Sequence, residues 1–375
     1  MSLSTQVLLY YLFINELFIL KYSLRFVNIT WALIACILYA VGIIFFFYLI
    51  KQNRFVSSLN RKTVIVIALA VILLLVLCQS MVDPYTLKVD RWPAIHNFLY
   101  NLFNGIYPYA AQTHLGGYGS PFPVWQVFHI PFYLFGNVGL SFLVGVGLFF
   151  DSIRRIFGCQ QAFMALLLLI VSPAFVYEVV VRSDLSTNFL VCAAIILYFH
   201  YYNITFDKHW LLLSVIIGLM ASTRLSILVP FGIYFLRDFV SMDYRRQLLS
   251  VTVIFTFFTL TFLPFLLWNG EMLLFFEYNP FVLQSRQGNL LDFLLFIPLG
   301  IWFAFSWRND INRYFFNTAC LLLILVIVTF VHNMYLNNNW NELFESAYDI
   351  TYFNMALPYI ILSHNSYFTN SSLLT

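Results

Sequence analysis

The sequence predicts an all-α, polytopic transmembrane helix bundle of about ten to thirteen spans, with one long helical loop on its extracytoplasmic face. Three observations predict it. Of the 375 residues, 62% are hydrophobic and 20% aromatic, and only 9% are charged. An ordinary soluble domain carries about 25% charged residues, so a soluble globular protein is excluded. Apolar runs of about 18 residues or more, each enough to cross about 30 Å of hydrocarbon as a helix, recur along the whole chain. Finally, the nineteen Lys and Arg residues are distributed unevenly around those runs.

Taken in order, helices are expected near 6–24, 31–50, 63–80, 124–150, 161–180, 186–202, 210–222, 226–236, 247–268, 289–306, 314–332 and 350–364, all within a single integral membrane domain, 1–375. The 210–222 and 226–236 segments are too short for two full crossings and suggest half-helices meeting at Thr223 and Arg224. Pro131 and Gly136 are placed to kink the 124–150 run or to divide off an interfacial first part. No removable signal peptide is expected at the N-terminus. Nor is there an internal repeat or a soluble domain between spans.

Orientation follows from the basic residues. Lys51, Arg54, Arg61, Lys62, Arg154, Arg155, Lys208, Arg237, Arg245, Arg246, Arg308 and Arg313 fall on one side, twelve of the nineteen. Lys21, Arg25, Lys88, Arg91, Arg182, Arg224 and Arg286, the other seven, fall on the opposite side with Glu178, Asp184, Glu271, Glu277, Glu342, Glu345 and Asp349. The side richer in Lys and Arg should be cytoplasmic, which places the 81–123 loop outside. The net charge of +3 is small and no basic cluster points to nucleic acid. The five cysteines are scattered, with neither metal-ligand spacing nor a disulfide framework, and no compact carboxylate cluster suggests a metal.

The outer loop holds the densest chemistry. Within it, Trp92–Asn104 has apolar residues at Ile95, Phe98, Leu99, Leu102 and Phe103, a helical spacing, and Pro93 suits a first turn. This helix should lie flat on the membrane surface near 92–104. Gly105 ends it, the IYPY segment turns the chain, and SPFPVW leads back to the bilayer.

An acidic residue after an early span, a surface helix, then NGIYPY and a Pro-rich return resemble the first outer loop of the GT-C superfamily. These are multispanning glycosyltransferases that use polyprenyl-phosphate sugars as donors. The nearest likeness is to the polyprenol-phosphate-mannose-type branch, in which an Asp precedes an L-x-x-G-x-x-P-Y stretch by about four helical turns. Here the Asp is Asp90 and the stretch is Leu102, Gly105, Pro108 and Tyr109; the likeness covers roughly 80–135. It implies a bacterial inner or plasma membrane enzyme with an outward-facing site. The donor is a lipid-linked sugar that serves as co-substrate, with no other cofactor, and the acceptor is a glycan or glycolipid.

Such a transfer needs a base for the acceptor hydroxyl and cations for the departing phosphate. Asp90 is the candidate base, and it could also cap the 92–104 helix. Asp83, before Pro84, has the pattern of a turn residue. Arg224, isolated between two apolar half-helices, is the leading donor-phosphate ligand, with Arg91, Arg182 and Arg286 as further candidates. Glu178 and Arg182 are i and i+4 and can pair if their helix continues, and Glu178 and Asp184 are candidates for the pocket wall. His96, His114, Tyr107 and Tyr109, with Trp125, complete the candidate substrate pocket. Two rival readings carry different expectations. A polymerase or ligase acting on polyprenyl-pyrophosphate glycans would concentrate its arginines in larger loops late in the chain. A lipid or glycan transporter would show repeated halves and helices broken at the midplane.

Overall fold

The computed structural model describes residues 3–51, 61–86, 89–275, 279–285, 290–308, 310–341 and 349–365. Seventeen α-helices are found among them. The first three are α1 (Leu3–Ser23), α2 (Ile29–Lys51) and α3 (Arg61–Ser80). The loop helix is α4 (Arg91–Phe103), followed by α5 (Pro123–Phe128), α6 (Ile130–Leu134) and α7 (Phe142–Phe157). Next come α8 (Cys159–Ile170), α9 (Pro173–Val180), α10 (Leu185–Tyr201), α11 (Phe206–Ala221), α12 (Leu228–Ser241) and α13 (Tyr244–Phe275). The last are α14 (Pro280–Ser285), α15 (Leu290–Ser306), α16 (Ile311–Leu336) and α17 (Leu357–Asn365). Apart from one bridge between Gln112 and Tyr118, no β structure occurs among the described residues.

Four helical segments have the length and apolarity to cross a membrane: Ile29–Leu49, Lys62–Ser80, Tyr244–Leu274 and Ile311–Leu336. A fifth span results if α8 and α9, bent by 73° at their junction, count as one. The chain therefore has the make-up of a multi-pass membrane protein. α2, α3 and α13 turn much of their apolar surface outward, as lipid-facing helices do, whereas α16 is largely enclosed by its neighbours. The reading of ten to thirteen crossings treats each apolar segment as one helix. The structure instead divides several of them. The 124–150 run becomes α5, α6, a short 3-10 turn and α7, because Pro131 opens a new helix and Gly136 takes a positive φ of 81°. The pair 210–222 and 226–236 is α11 and α12, separated by a break at Ser222–Arg224. In α13, Asn269 leaves the helical conformation, which places the effective end close to the expected residue 268.

Breaks in apolar helices release backbone groups that must find partners away from water. At the α8–α9 bend, side chains from α1 and α2 supply them. Asn15 Oδ1 accepts from the Ser172 hydroxyl at 2.5 Å and from the Ala174 amide at 3.2 Å. Tyr11 donates to the Leu168 carbonyl and Tyr39 to that of Val171. The bend is thus fixed by polar residues that would otherwise be unwelcome in α1.

The surface helix forms one residue earlier than expected, and its apolar face packs inward. Trp92, Ile95, Phe98 and Leu99 are buried with Tyr109, Phe122, Trp125, Phe262 and Phe265 in a second core beneath the loop. Tyr100 and Phe103 remain exposed.

Candidate functional site

The break between α11 and α12 builds the site. Arg224 is the extended residue before a 3-10 turn at Leu225–Ile227, with φ −155°. The segment returning from the 81–123 loop satisfies the freed carbonyls: the Phe122 amide donates to Thr223 and that of Val124 to Ser222. From α14, Gln284 accepts from the Leu225 amide at 2.9 Å and donates to the Ser120 carbonyl at 2.8 Å. The loop and the break are therefore stitched together on both sides of Arg224.

Arg224 donates to Asp184 Oδ2 at 2.5 Å, with only 6% and 2% of the two side chains exposed. The same carboxylate oxygen accepts from the Trp125 indole at 2.6 Å, while Oδ1 has no partner among the described residues. Burial works against charge on Asp184, but Arg224, and beyond it Arg91, holds its carboxyl down to about 2. His129 is buried beneath Trp125, bonded to the Trp125 carbonyl and Ser141, and burial lowers it to about 4, so the imidazole is neutral.

Arg91 is held by the segment before α17. Its Nη2 meets Asp349 at 2.7 Å and its guanidinium lies 4.9 Å from the centre of the Tyr352 ring. It is close enough to Asp184 and Glu178 to act on them electrostatically. Lys21 is likewise within electrostatic reach of Asp349 and Arg25. Three of the seven basic residues assigned to the outer side, Arg224, Arg91 and Lys21, therefore gather around Asp184 and Asp349, while Arg25 lies over the Tyr22 ring. Lys88 and Arg286 lie outside the described residues.

A cavity of about 780 Å³ opens beside this cluster. Arg224, Ser120, Gln284 and Tyr352 give it polar groups beside the helix break; most of the remaining wall is apolar and comes from α12, α15 and α16, with Thr329 a polar exception. Arg224 is thus the cation at the end of an apolar groove.

The other candidates are distributed differently. Asp90 precedes α4 but makes no side-chain cap; its Oδ1 accepts from the Leu115 amide at 3.0 Å, fixing the turn that contains Gly116 and Gly117. Its Oδ2 has no hydrogen bond among the described residues, and the residue is partly exposed. Asp83 forms the expected turn, accepting from the Tyr85 amide. Glu178 does not pair with Arg182, because α9 stops at Val180 and Arg182 turns to φ 57°. Glu178 instead accepts from the Ser186 amide at 2.8 Å and the Asn354 amide group at 2.7 Å. Arg182 donates to the Gln79 carbonyl and lies over Gly139, away from the groove. His96 stacks on Trp92 with ring centres 4.4 Å apart, and His114 lies 5.9 Å from the same indole. Tyr107 and Tyr109 are buried in the loop core against Trp268 and Phe265, so their rings serve packing.

Of three further participants, Tyr352 had no signal in the sequence, and Trp125 and Asp349 take parts that the sequence did not assign to them. Trp125 holds a carboxylate instead of presenting a face to a sugar, and Asp349 and Tyr352 close the site from a segment distant in sequence. The only sequence signal for Asp349 was an unpaired acid on the outer side. Among the described residues, no group of three His, Cys, Asp or Glu side chains could hold a metal ion. No protein-family model, curated protein or solved structure matches this chain.

Proposed function

We propose that the protein is a membrane glycosyltransferase of GT-C type. It transfers a sugar from a polyprenyl-phosphate donor to a lipid-linked or cell-envelope glycan acceptor on the extracytoplasmic face, with inversion. The observation that carries this reading is the apolar groove ending on Arg224. A lipid phosphate needs a long apolar wall for its chain and a fixed cation for its headgroup, and an arginine fork suits phosphate oxygens. In the reaction, the acceptor oxygen attacks the anomeric carbon, the bond from that carbon to the phosphate oxygen breaks, and the polyprenyl phosphate leaves as an anion. Arg224 receives the departing charge, and Asp90 takes the acceptor proton. Asp184 is less suited to the proton, since both its oxygens are sealed from solvent or bonded; it orients Arg224. Asp90 is one residue from Arg91, whose guanidinium rests on the Tyr352 ring in the groove's lining.

Purified protein in nanodiscs, given defined polyprenyl-phosphate hexoses and lipid-linked glycans, should release polyprenyl phosphate and form a longer glycan. Movement of unchanged lipid between vesicle leaflets, with no bond broken, would support transport in place of transfer. Sidedness has a separate test. Leu115 is 63% exposed at the tip of the loop. A Leu115→Cys protein should react with a membrane-impermeant maleimide in intact cells, and reaction only after permeabilisation would overturn the outward-facing site.

A further inference from the structure

The groove has a finite capacity. Its lining on α12 runs from Leu228 to Leu236, about 12 Å of helix axis at about 1.5 Å per residue. That is short beside the extended length of an undecaprenyl chain. The walls show where the rest would go: Ile297 and Ile301 line the groove on α15 and are 55% and 45% exposed, so its flank is open to the surrounding lipid.

Along α12 the lining starts at Leu228 and Val229, next to the Arg224 break, and continues through Gly232 and Ile233 to Leu236. Gly232 stands about 6 Å further along the helix axis than Leu228. A Cβ added at Gly232 would meet nothing within 4 Å. A side chain there would therefore enter the groove without disturbing a neighbouring helix. On the facing wall, a Cβ at Gly300 would make only an ordinary contact of 3.4 Å with Leu321.

We infer that the groove takes only the phosphate-proximal part of a prenyl chain and that the glycine at position 232 sets how much of the chain is held. This rests on the reading that Arg224 takes a lipid phosphate. A chain that passes from bilayer to groove exchanges one apolar surrounding for another, so the hydrophobic effect contributes little to length selection. Selection must come from close packing against the walls, and packing stops where the walls stop. Chain beyond the opening at Ile297 and Ile301 stays in lipid and adds nothing. Gly232 keeps the middle of the groove open.

The test uses the full chain in nanodiscs with geranyl, geranylgeranyl and undecaprenyl phosphates as probes, with affinities compared per mole of lipid. Geranylgeranyl and undecaprenyl phosphates should bind within about threefold of one another. Gly232→Phe should weaken both by about tenfold or more while changing geranyl phosphate by less than about threefold. Gly300→Leu, from the facing wall, is a second variant with the same expected pattern, and both replace a mid-helix glycine by a better helix former. Undecaprenyl phosphate binding tenfold tighter than geranylgeranyl phosphate would overturn the inference. So would equal losses on all three probes, or no loss on any. Failure of the underlying reading looks different: no prenyl phosphate would bind the unaltered protein, or binding would be indifferent to Arg224→Met.

Discussion

Arg224→Met should abolish binding of prenyl phosphates and, taken alone, should also destabilise the fold. Arg224 and Asp184 form a buried pair, and removing one partner leaves the other charge uncompensated at a cost of about 3–5 kcal/mol. Adding Asp184→Asn removes the stranded charge while keeping an oxygen for the Trp125 indole. The double variant should therefore regain most of the lost stability, so the two substitutions are strongly non-additive. Binding should behave otherwise, because every variant lacking Arg224 lacks the cation at the end of the groove. Unfolding midpoints and geranylgeranyl phosphate binding, measured on both single variants and the double, separate the two roles. Normal prenyl-phosphate binding by a folded protein without Arg224 would end the donor-site reading. The pair also has a pH signature. The Asp184 carboxyl is depressed from its usual value to about 2, so its contribution to stability is present above about pH 4 and lost as pH falls toward 2.

Much of this arrangement was legible in the sequence, and the limits have physical causes. Hydrophobic runs and helix breakers gave most helices to within a few residues, including the loop helix at Arg91–Phe103 and the break at Arg224. Grouping residues by side put Lys21, Arg91 and Arg224 in one set with Asp184 and Asp349, and these do meet in space, whereas Arg182 turns away to Gln79. Pairing was not legible. Arg91 finds Asp349 across 258 positions and Arg224 finds Asp184 across 40, and no local spacing encodes such contacts. The expected Glu178–Arg182 pair failed for a backbone reason: the helix ends between them and Arg182 adopts a left-handed conformation. Trp125 and Tyr109 were ambiguous because an aromatic beside a polar loop is compatible with packing, hydrogen bonding or ligand stacking. Only tertiary context separates these.

Asp90→Asn should give a folded protein whose sugar transfer falls by about a hundredfold or more, the scale of losing a general base. The structure sharpens this comparison. The sequence left open whether Asp90 caps the surface helix, and its side chain makes no cap there; it accepts from the Leu115 amide instead. Asparagine retains that acceptor oxygen, so the 113–117 turn should persist and stability should change by no more than about 1 kcal/mol, the net value of one hydrogen bond. What asparagine cannot do is take a proton. The carboxylate oxygen Oδ2 has no hydrogen bond among the described residues, so it is the atom that would meet an acceptor hydroxyl. Asp90→Ala loses both the turn contact and the base, and should be equally inactive but less stable. Donor binding should survive in both variants, since Arg224 and the groove are untouched. The measurement is therefore threefold: turnover, prenyl-phosphate affinity and unfolding midpoint on the same preparations. Loss of turnover alone in Asp90→Asn identifies a proton acceptor. Transfer at near-normal rate in Asp90→Asn, with Asp90→Ala merely less stable, would reduce Asp90 to a fastener of the loop and leave Asp184 or Glu178 as the carboxylate to examine.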